Sequence, residues 1–194
     1  MKFTIPALMA MSLGLSACMT TSDNMGGQSS ASADGTVMVG GAEMFPTKNI
    51  IENAVNSADH TTLVAAVKAA GLVETLSGPG PFTVFAPTNA AFAKLPAGTV
   101  DTLLKPENLS TLQSVLTYHV VPGRLSAADL KAKIRAGGGR AKLTTAQGGT
   151  LTASMMGDMI MLTDAKGGTA HVTQGNVFQS NGVIHVTDAV SIPG

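Results

Sequence analysis

The spacing of hydrophobic positions along this chain changes near residue 140. Before that point apolar residues recur three or four positions apart, as in Leu109, Leu112 and Leu116, which predicts short amphipathic helices. After it, apolar and polar residues alternate between glycine-containing turns, which is typical of strands. Because helices concentrate in the first half and strands in the second, the pattern indicates an α+β fold. The predicted strands of the second half are residues 142–145, 150–155, 159–163, 170–173 and 183–191.

One segment of the first half, residues 83–92, joins a predicted strand directly to a predicted helix. Its β-forming residues end at Pro87, because proline has no N–H to donate to a sheet. Asn89 is the predicted N-cap of the helix that follows. With Phe85 and Phe92 both on the core side, this segment is the predicted nucleus for packing helices against the sheet.

The first residues, 1–17, form a pattern typical of a signal peptide. Met1-Lys2 supplies one positive charge, residues 3–14 are uncharged and mostly apolar, and small residues precede Cys18. This apolar stretch is too short to span a membrane as a helix. Leu15-Ser16-Ala17-Cys18 resembles the lipobox of bacterial lipoproteins, which implies cleavage before Cys18 and lipid on its thiol and new amino group. An ordinary signal peptide with an incidental cysteine is the alternative.

Residues 18–45 are the predicted lipid-bearing, flexible tether, because they are rich in Ser, Gly, Thr and Ala and lack apolar periodicity. The folded domain is predicted to comprise residues 46–194, enough to bury a core without disulfides. Cys18 is the only cysteine, so no disulfide can form within the chain. Lysine and arginine number 12, as do aspartate and glutamate, which leaves no general electrostatic attraction for nucleic acid.

Three ordered motifs resemble the signatures of a known family. Residues 83–92 resemble the first signature of the fasciclin-like domain, and Tyr118-His119 and residues 181–188 resemble the other two. The resemblance extends over residues 49–193. It implies a wedge-shaped β-sandwich flanked by helices that come mainly from the first half of the chain. It also implies a binding or adhesion module.

Motifs for catalysis or cofactor binding are missing from the sequence. The chain has no Gly-x-Ser-x-Gly elbow, no Gly-x-x-x-x-Gly-Lys phosphate loop and no free thiol for a cysteine nucleophile. Its four histidines include no pair at helical i, i+4 spacing for a metal. We therefore predict no enzyme activity and no cofactor. His119 and His185 are expected to be partly buried and to hydrogen-bond strands to loops.

Two short motifs are candidate interaction or structural sites. Tyr118 and His119 open a predicted strand, residues 118–121, and the resemblance associates this pair with fold integrity and, in some members, with adhesion. Asn176 and Val177 stand where the resemblance places an Asp-Ile pair linked to integrin binding in adhesive animal members. An integrin metal site needs an anionic oxygen ligand. Asn176 is neutral, so integrin-type adhesion is not expected.

A methionine-rich hairpin is the candidate metal site. A two-residue turn at Gly157-Asp158 would pair Met156 with Met159 and would place Met161 on the same face. Three thioethers form a soft ligand set that suits Cu(I). The alternative is that these methionines pack against a helix or form an adaptable apolar contact surface.

Together these patterns predict an exported protein that is anchored to the cell envelope by lipid on Cys18. Its expected location is the outer membrane, on the periplasmic or the surface-facing side, and its membrane contact is the lipid. The domain is predicted to bind another protein or a polysaccharide. A periplasmic protein that handles a ligand or a soft metal is the alternative.

Overall fold

A computed structural model describes residues 35–96 and 98–194 of the chain. The predicted signal peptide and Cys18 lie outside these residues. The α-helices are α1 (Ile50–Ala54), α2 (Thr61–Ala69), α3 (Val73–Ser77), α4 (Asn89–Ala93), α5 (Thr99–Leu103), α6 (Leu109–Tyr118) and α7 (Ala127–Ala136). The strands are β1 (Val37–Val39), β2 (Ala42–Met44), β3 (Phe82–Pro87), β4 (Val120–Pro122), β5 (Arg140–Thr144), β6 (Thr150–Met156), β7 (Met159–Thr163), β8 (Thr169–Gln179) and β9 (Gly182–Thr187). In this part of the chain, none of the helices has the length and apolar character needed to cross a membrane.

Strands β3 to β9 form one mixed sheet in the order β4-β3-β9-β8-β7-β6-β5. β3 and β9 run parallel, and the other neighbouring pairs of this sheet are antiparallel. β8 belongs to both halves of the sheet, because it pairs with β7 near its start and with β9 over the rest of its length. Two register shifts in β8 bend the sheet between the halves. Helices combined with a large sheet confirm the predicted α+β class.

Two hydrophobic clusters lie on opposite faces of β3. Val84 and Ala86 point into the first cluster, which β3 and β9 share with residues of α1 to α4 and α6. Phe85 points into the second cluster, which it shares with α7 and with residues of β4 to β8. The two halves of the sheet therefore enclose the second cluster, while helices from the first half of the chain cover the other side of β3. Phe85 and Phe92 are both buried, as predicted, but Phe92 belongs to the first cluster, so the two rings lie in different cores.

The hairpin of β1 and β2 lies within the predicted tether. Val39 and Met44 are buried in the first cluster, and the side-chain amide of Gln174 donates to the Met38 carbonyl at 2.9 Å. The tether predicted over residues 18–45 is therefore too long, because its last residues fold onto the domain. Strands of three residues are too short for their alternation to stand out in a Gly- and Ser-rich segment.

The N-cap of α4 is Thr88, one residue earlier than predicted. The Thr88 hydroxyl accepts a hydrogen bond from the Ala91 N–H at 3.3 Å. Asn89 instead connects α4 to the start of α2, because its side-chain oxygen accepts from the Thr62 N–H at 3.0 Å and its amide donates to the Ala58 carbonyl at 2.8 Å. Thr and Asn are both good caps, and the tertiary contact determines which of them is used.

The strand predicted over residues 118–121 begins too early. Tyr118 is the last residue of α6 and His119 is its C-cap, with β4 starting at Val120. Tyr118 follows Val115 at helical spacing, so the buried stripe of α6 continues through it. The largest of the other differences are that β8 runs on to Gln179 and β9 stops at Thr187. β5 begins two residues earlier than predicted, at Arg140, and the remaining strand ends agree to within one residue.

Candidate interaction site

Tyr118 is fully buried in the second cluster. Its hydroxyl donates to the Thr150 carbonyl at 2.7 Å and accepts from the Ala165 N–H at 3.1 Å. These bonds join the end of α6 to β6 and to the loop after β7. The backbone of Gly149 passes so close to the ring that a Cβ there would lie 2.7 Å from it. Tyr118 is thus held where it can stabilise the fold and where a binding partner cannot reach it.

His119 is buried and connects α6 to the C-terminal segment. Its Nδ1 donates to the Val115 carbonyl at 2.7 Å, and its Nε2 accepts from the Ser191 N–H at 3.0 Å. Both bonds are satisfied together only by the neutral ring with its proton on Nδ1. Burial lowers the pKa of His119, although the bond to Val115 and the charge of Asp164 act in the opposite direction.

His185 has a similar environment on the same side of the sheet as Phe85. It lies on β9, where its ring stacks on Phe85 with centroids 5.6 Å apart. Nε2 donates to the Leu125 carbonyl at 2.8 Å, while the buried Nδ1 has no hydrogen-bond partner among the described residues. Burial lowers the pKa of His185, and the bond to Leu125 opposes this.

Asn176 and Val177 occupy the irregular part of β8. Val177 is 1% exposed and packs in the first cluster, so its side chain is unavailable to a partner. Asn176 is exposed and has a positive φ of 62°, which Asn tolerates better than most residues. Its side-chain oxygen accepts from the Ala127 N–H at 2.7 Å, at the first turn of α7. These contacts hold the bulge of β8 against the start of α7.

The methionine-rich hairpin has the predicted register. Met156 is paired directly with Met159, and Met161 lies two residues farther along β7 on the same face. Met156 is 44% exposed and Met159 is 47% exposed, so these side chains lie on the outer face of the sheet. Met155 faces the other way and packs against the second cluster. Of the two alternatives to a metal site, exposure favours a contact surface over packing against a helix.

One residue beside this hairpin, His171, was missed by the sequence analysis. His171 lies on β8 directly opposite Met161, and its ring Nδ1 is 3.1 Å from a carboxylate oxygen of Asp188. A two-residue turn at Gly167-Gly168 would place Gln174 opposite Met161. Residues 164–168 connect β7 to β8 instead, and this longer loop brings His171 to that position. Groups of three or more His, Cys, Asp or Glu side chains placed to hold a metal do not occur in the described part of the chain.

An open groove crosses the surface near the start of β9. It has a volume of about 480 Å³, and polar and apolar atoms line it in similar amounts. Glu52 and Arg124 supply exposed charges of opposite sign at its wall, and the Arg124 guanidinium lies 5.0 Å from the Phe178 ring centroid. By contrast, the apolar cavity of the first cluster has a volume of about 40 Å³. The residues that line the open groove are Asn49, Glu52, Ser77, Gly78, Pro79, Gly80, Pro81, Arg124, Ser180, Asn181 and Gly182.

The sequence of residues 58–193 matches the model of the fasciclin domain. Protein sll1483 of Synechocystis is 47% identical over 144 residues, which are 74% of this chain and 73% of that protein. The cell surface glycolipoprotein MPB83 of Mycobacterium bovis is 38% identical over 122 residues, or 63% of this chain and 48% of that protein.

A solved structure of a FAS1 domain pair from the insect cell adhesion molecule fasciclin I has the same fold as this chain. The TM-score is 0.64 at 17% identity, over 74% of this chain and 50% of the insect chain. The chain spans about half the length of both the insect pair and the mycobacterial glycolipoprotein.

Proposed function

Because this chain belongs to the fasciclin domain family, whose members are adhesion-type extracellular proteins, we propose that it is a lipid-anchored protein of the cell envelope. Its domain binds another protein or a polysaccharide, and the lipid on Cys18 attaches it to the membrane. Fold alone does not identify a function, so the proposal depends on the N-terminal pattern and on the surface of the domain.

The lipid anchor is supported by two independent observations. Leu15-Ser16-Ala17-Cys18 places the only cysteine of the chain directly after an apolar segment with small residues at its end. A relative at 38% identity is named a cell surface glycolipoprotein. Lipid chains on one cysteine would hold the protein on a membrane surface.

The open groove is the observation that carries the binding proposal. Its mixture of polar and apolar lining, with Glu52 and Arg124 exposed at the wall, suits hydroxyl and amide groups of a saccharide or a peptide. The Arg124 guanidinium, placed near the Phe178 ring, presents donors toward solvent from a partly fixed position. Arginine in such a position commonly contributes much of a binding energy.

Binding is tested with the full chain on isolated envelopes of the source cells. Every protein carries Cys18→Ala, so that retention does not reflect lipid insertion. Arg124→Ala is expected to weaken saturable binding by about tenfold or more. Lys142→Ala, which removes the same charge from the exposed face of β5, is expected to bind like the parent.

Treating the envelopes with protease or with glycosidases distinguishes a protein partner from a polysaccharide. Binding that is not saturable would contradict the proposed module. Equal binding by the Arg124→Ala and Lys142→Ala proteins would contradict the assignment of the groove.

A further inference from the structure

The outer face of the hairpin formed by β6 and β7 carries three methionines close together. Met156 and Met159 are directly opposite each other, and Met161 follows Met159 at the next position on that face. Paired Cα atoms in antiparallel strands lie about 4.5–5.5 Å apart, and positions i and i+2 lie about 7 Å apart. Methionine side chains are long and flexible enough to bring their sulfur atoms together over such separations.

His171 extends this group across the next pair of strands. It is directly opposite Met161 on β8 and is only half-buried. Its backbone N–H donates to one Asp188 carboxylate oxygen at 2.7 Å, and its Nδ1 is 3.1 Å from the other. Because the two ring nitrogens lie on opposite sides of the ring, Nε2 is turned away from Asp188. Nε2 makes no hydrogen bond with any residue that the structure describes.

The carboxylate that holds His171 is itself fixed in place. Lys94 Nζ donates to the Asp188 carbonyl at 2.8 Å and lies 3.7 Å from its carboxylate. With one carboxylate oxygen on the His171 N–H and the other beside Nδ1, Asp188 can orient the imidazole, as carboxylates beside metal-binding histidines do.

We propose that Met156, Met159, Met161 and His171 form a binding site for a soft monovalent metal ion, Cu(I), with Asp188 orienting the histidine. Thioether sulfur and imidazole nitrogen are ligands that Cu(I) accepts, whereas Mg²⁺ and Ca²⁺ require oxygen ligands. Exposure of Met156 and Met159 leaves these two side chains free to turn toward the half-buried Met161.

The surroundings argue against a purely apolar contact surface. On the same face, β5 presents Arg140 and Lys142, and β6 presents Thr152 and Ser154 beside the methionines. The apolar area is therefore confined to the methionine side chains, far smaller than the 800 Å² or so that each partner of a standard interface buries. An apolar contact would not use the polar pair of His171 and Asp188, whereas a metal site would use it to orient the imidazole.

The full-length protein carrying Cys18→Ala, which removes its thiol, is titrated with Cu(I), and in parallel with Ag(I), without oxygen or added thiols and against a chromophoric competitor. In the variant Met156→Leu, Met159→Leu, Met161→Leu, side-chain volume is kept and sulfur is removed, and affinity is expected to fall at least about 100-fold. Met38→Leu is the matched control, because Met38 is 46% exposed and lies on β1, and it is expected to bind like the parent.

The histidine and its carboxylate are tested in the same titration. His171→Gln is expected to weaken binding about tenfold or more, and Asp188→Asn about tenfold. In the parent, the ¹³C resonances of the Met156, Met159 and Met161 methyl groups are expected to shift on addition of Ag(I). Equal affinity in the triple variant, or shifts confined to other methionines, would overturn the site. Unchanged affinity of His171→Gln would overturn the four-ligand assignment.

Discussion

Replacing Phe85 with alanine is expected to lower the free energy of unfolding by about 3–5 kcal/mol, as is usual for truncating a buried aromatic side chain. Phe85 is 0% exposed and lies in the second cluster, on the strand that separates the two clusters. The substitution would leave a cavity between the halves of the sheet and would remove the ring on which His185 stacks. A loss of this size is a large part of the 5–15 kcal/mol that typically stabilises a domain.

Urea unfolding of the parent and the variant measures the effect. Phe85→Leu is the conservative control and is expected to cost about 1–2 kcal/mol, because less of the cavity is left unfilled. Phe45→Ala tests whether the effect depends on burial, since Phe45 is only half-buried. It is expected to lower the free energy of unfolding clearly less than Phe85→Ala does. A loss below about 1 kcal/mol for Phe85→Ala would mean that the second cluster does not depend on this ring.

Acid is expected to destabilise the domain below about pH 6.5, the ordinary pKa of histidine. Burial lowers the pKa values of His60, His119 and His185, so in this range the unfolded chain binds more protons than the folded one. Stability therefore falls as pH falls from 6.5 toward the folded pKa values. Each of these histidines contributes a slope of at most about 1.4 kcal/mol per pH unit.

His119 gives this pH dependence a specific structural consequence. Protonation of its Nε2 removes the acceptor for the Ser191 N–H, so the C-terminal segment loses its hydrogen bond to the C-cap of α6. The free energy of unfolding is measured by urea titration between pH 8 and pH 5. His119→Gln removes one titrating group, and its slope is expected to be smaller than that of the parent whatever its stability at pH 8. A parent stability that stays constant or rises toward pH 5 would contradict the prediction.

Local sequence patterns were sufficient to predict most of the secondary structure, because caps and tight turns depend on neighbouring residues alone. The capping box of α7 is an example, because Ser126 and Asp129 stand at the three-residue spacing of this motif and each side chain bonds to the backbone of the other residue. The pairing of Met156 with Met159 is another, because the two-residue turn fixes the register. The fold class followed from the order of helices and strands.

The errors lie where tertiary contacts override local preference. Asn89 is drawn into bonds with α2, so the neighbouring Thr88 caps α4. Tyr118 continues the buried stripe of α6, and its hydroxyl bonds to Thr150 and Ala165, which are distant in sequence. The contact of His171 with Asp188 joins β8 to the end of β9 and depends on the register of both strands. No short-range pattern carries that information.

The most direct test of the proposed envelope lipoprotein is the mass of the mature N-terminus of the protein isolated from its own cells. The proposal predicts that the chain begins at Cys18 and carries lipid on its thiol and amino group. Cys18→Ala is then expected to move the protein out of the membrane fraction or to stop its processing, while the fold is unchanged. A mature chain cut at another residue, or one with an unmodified Cys18, would contradict the lipid-anchored account.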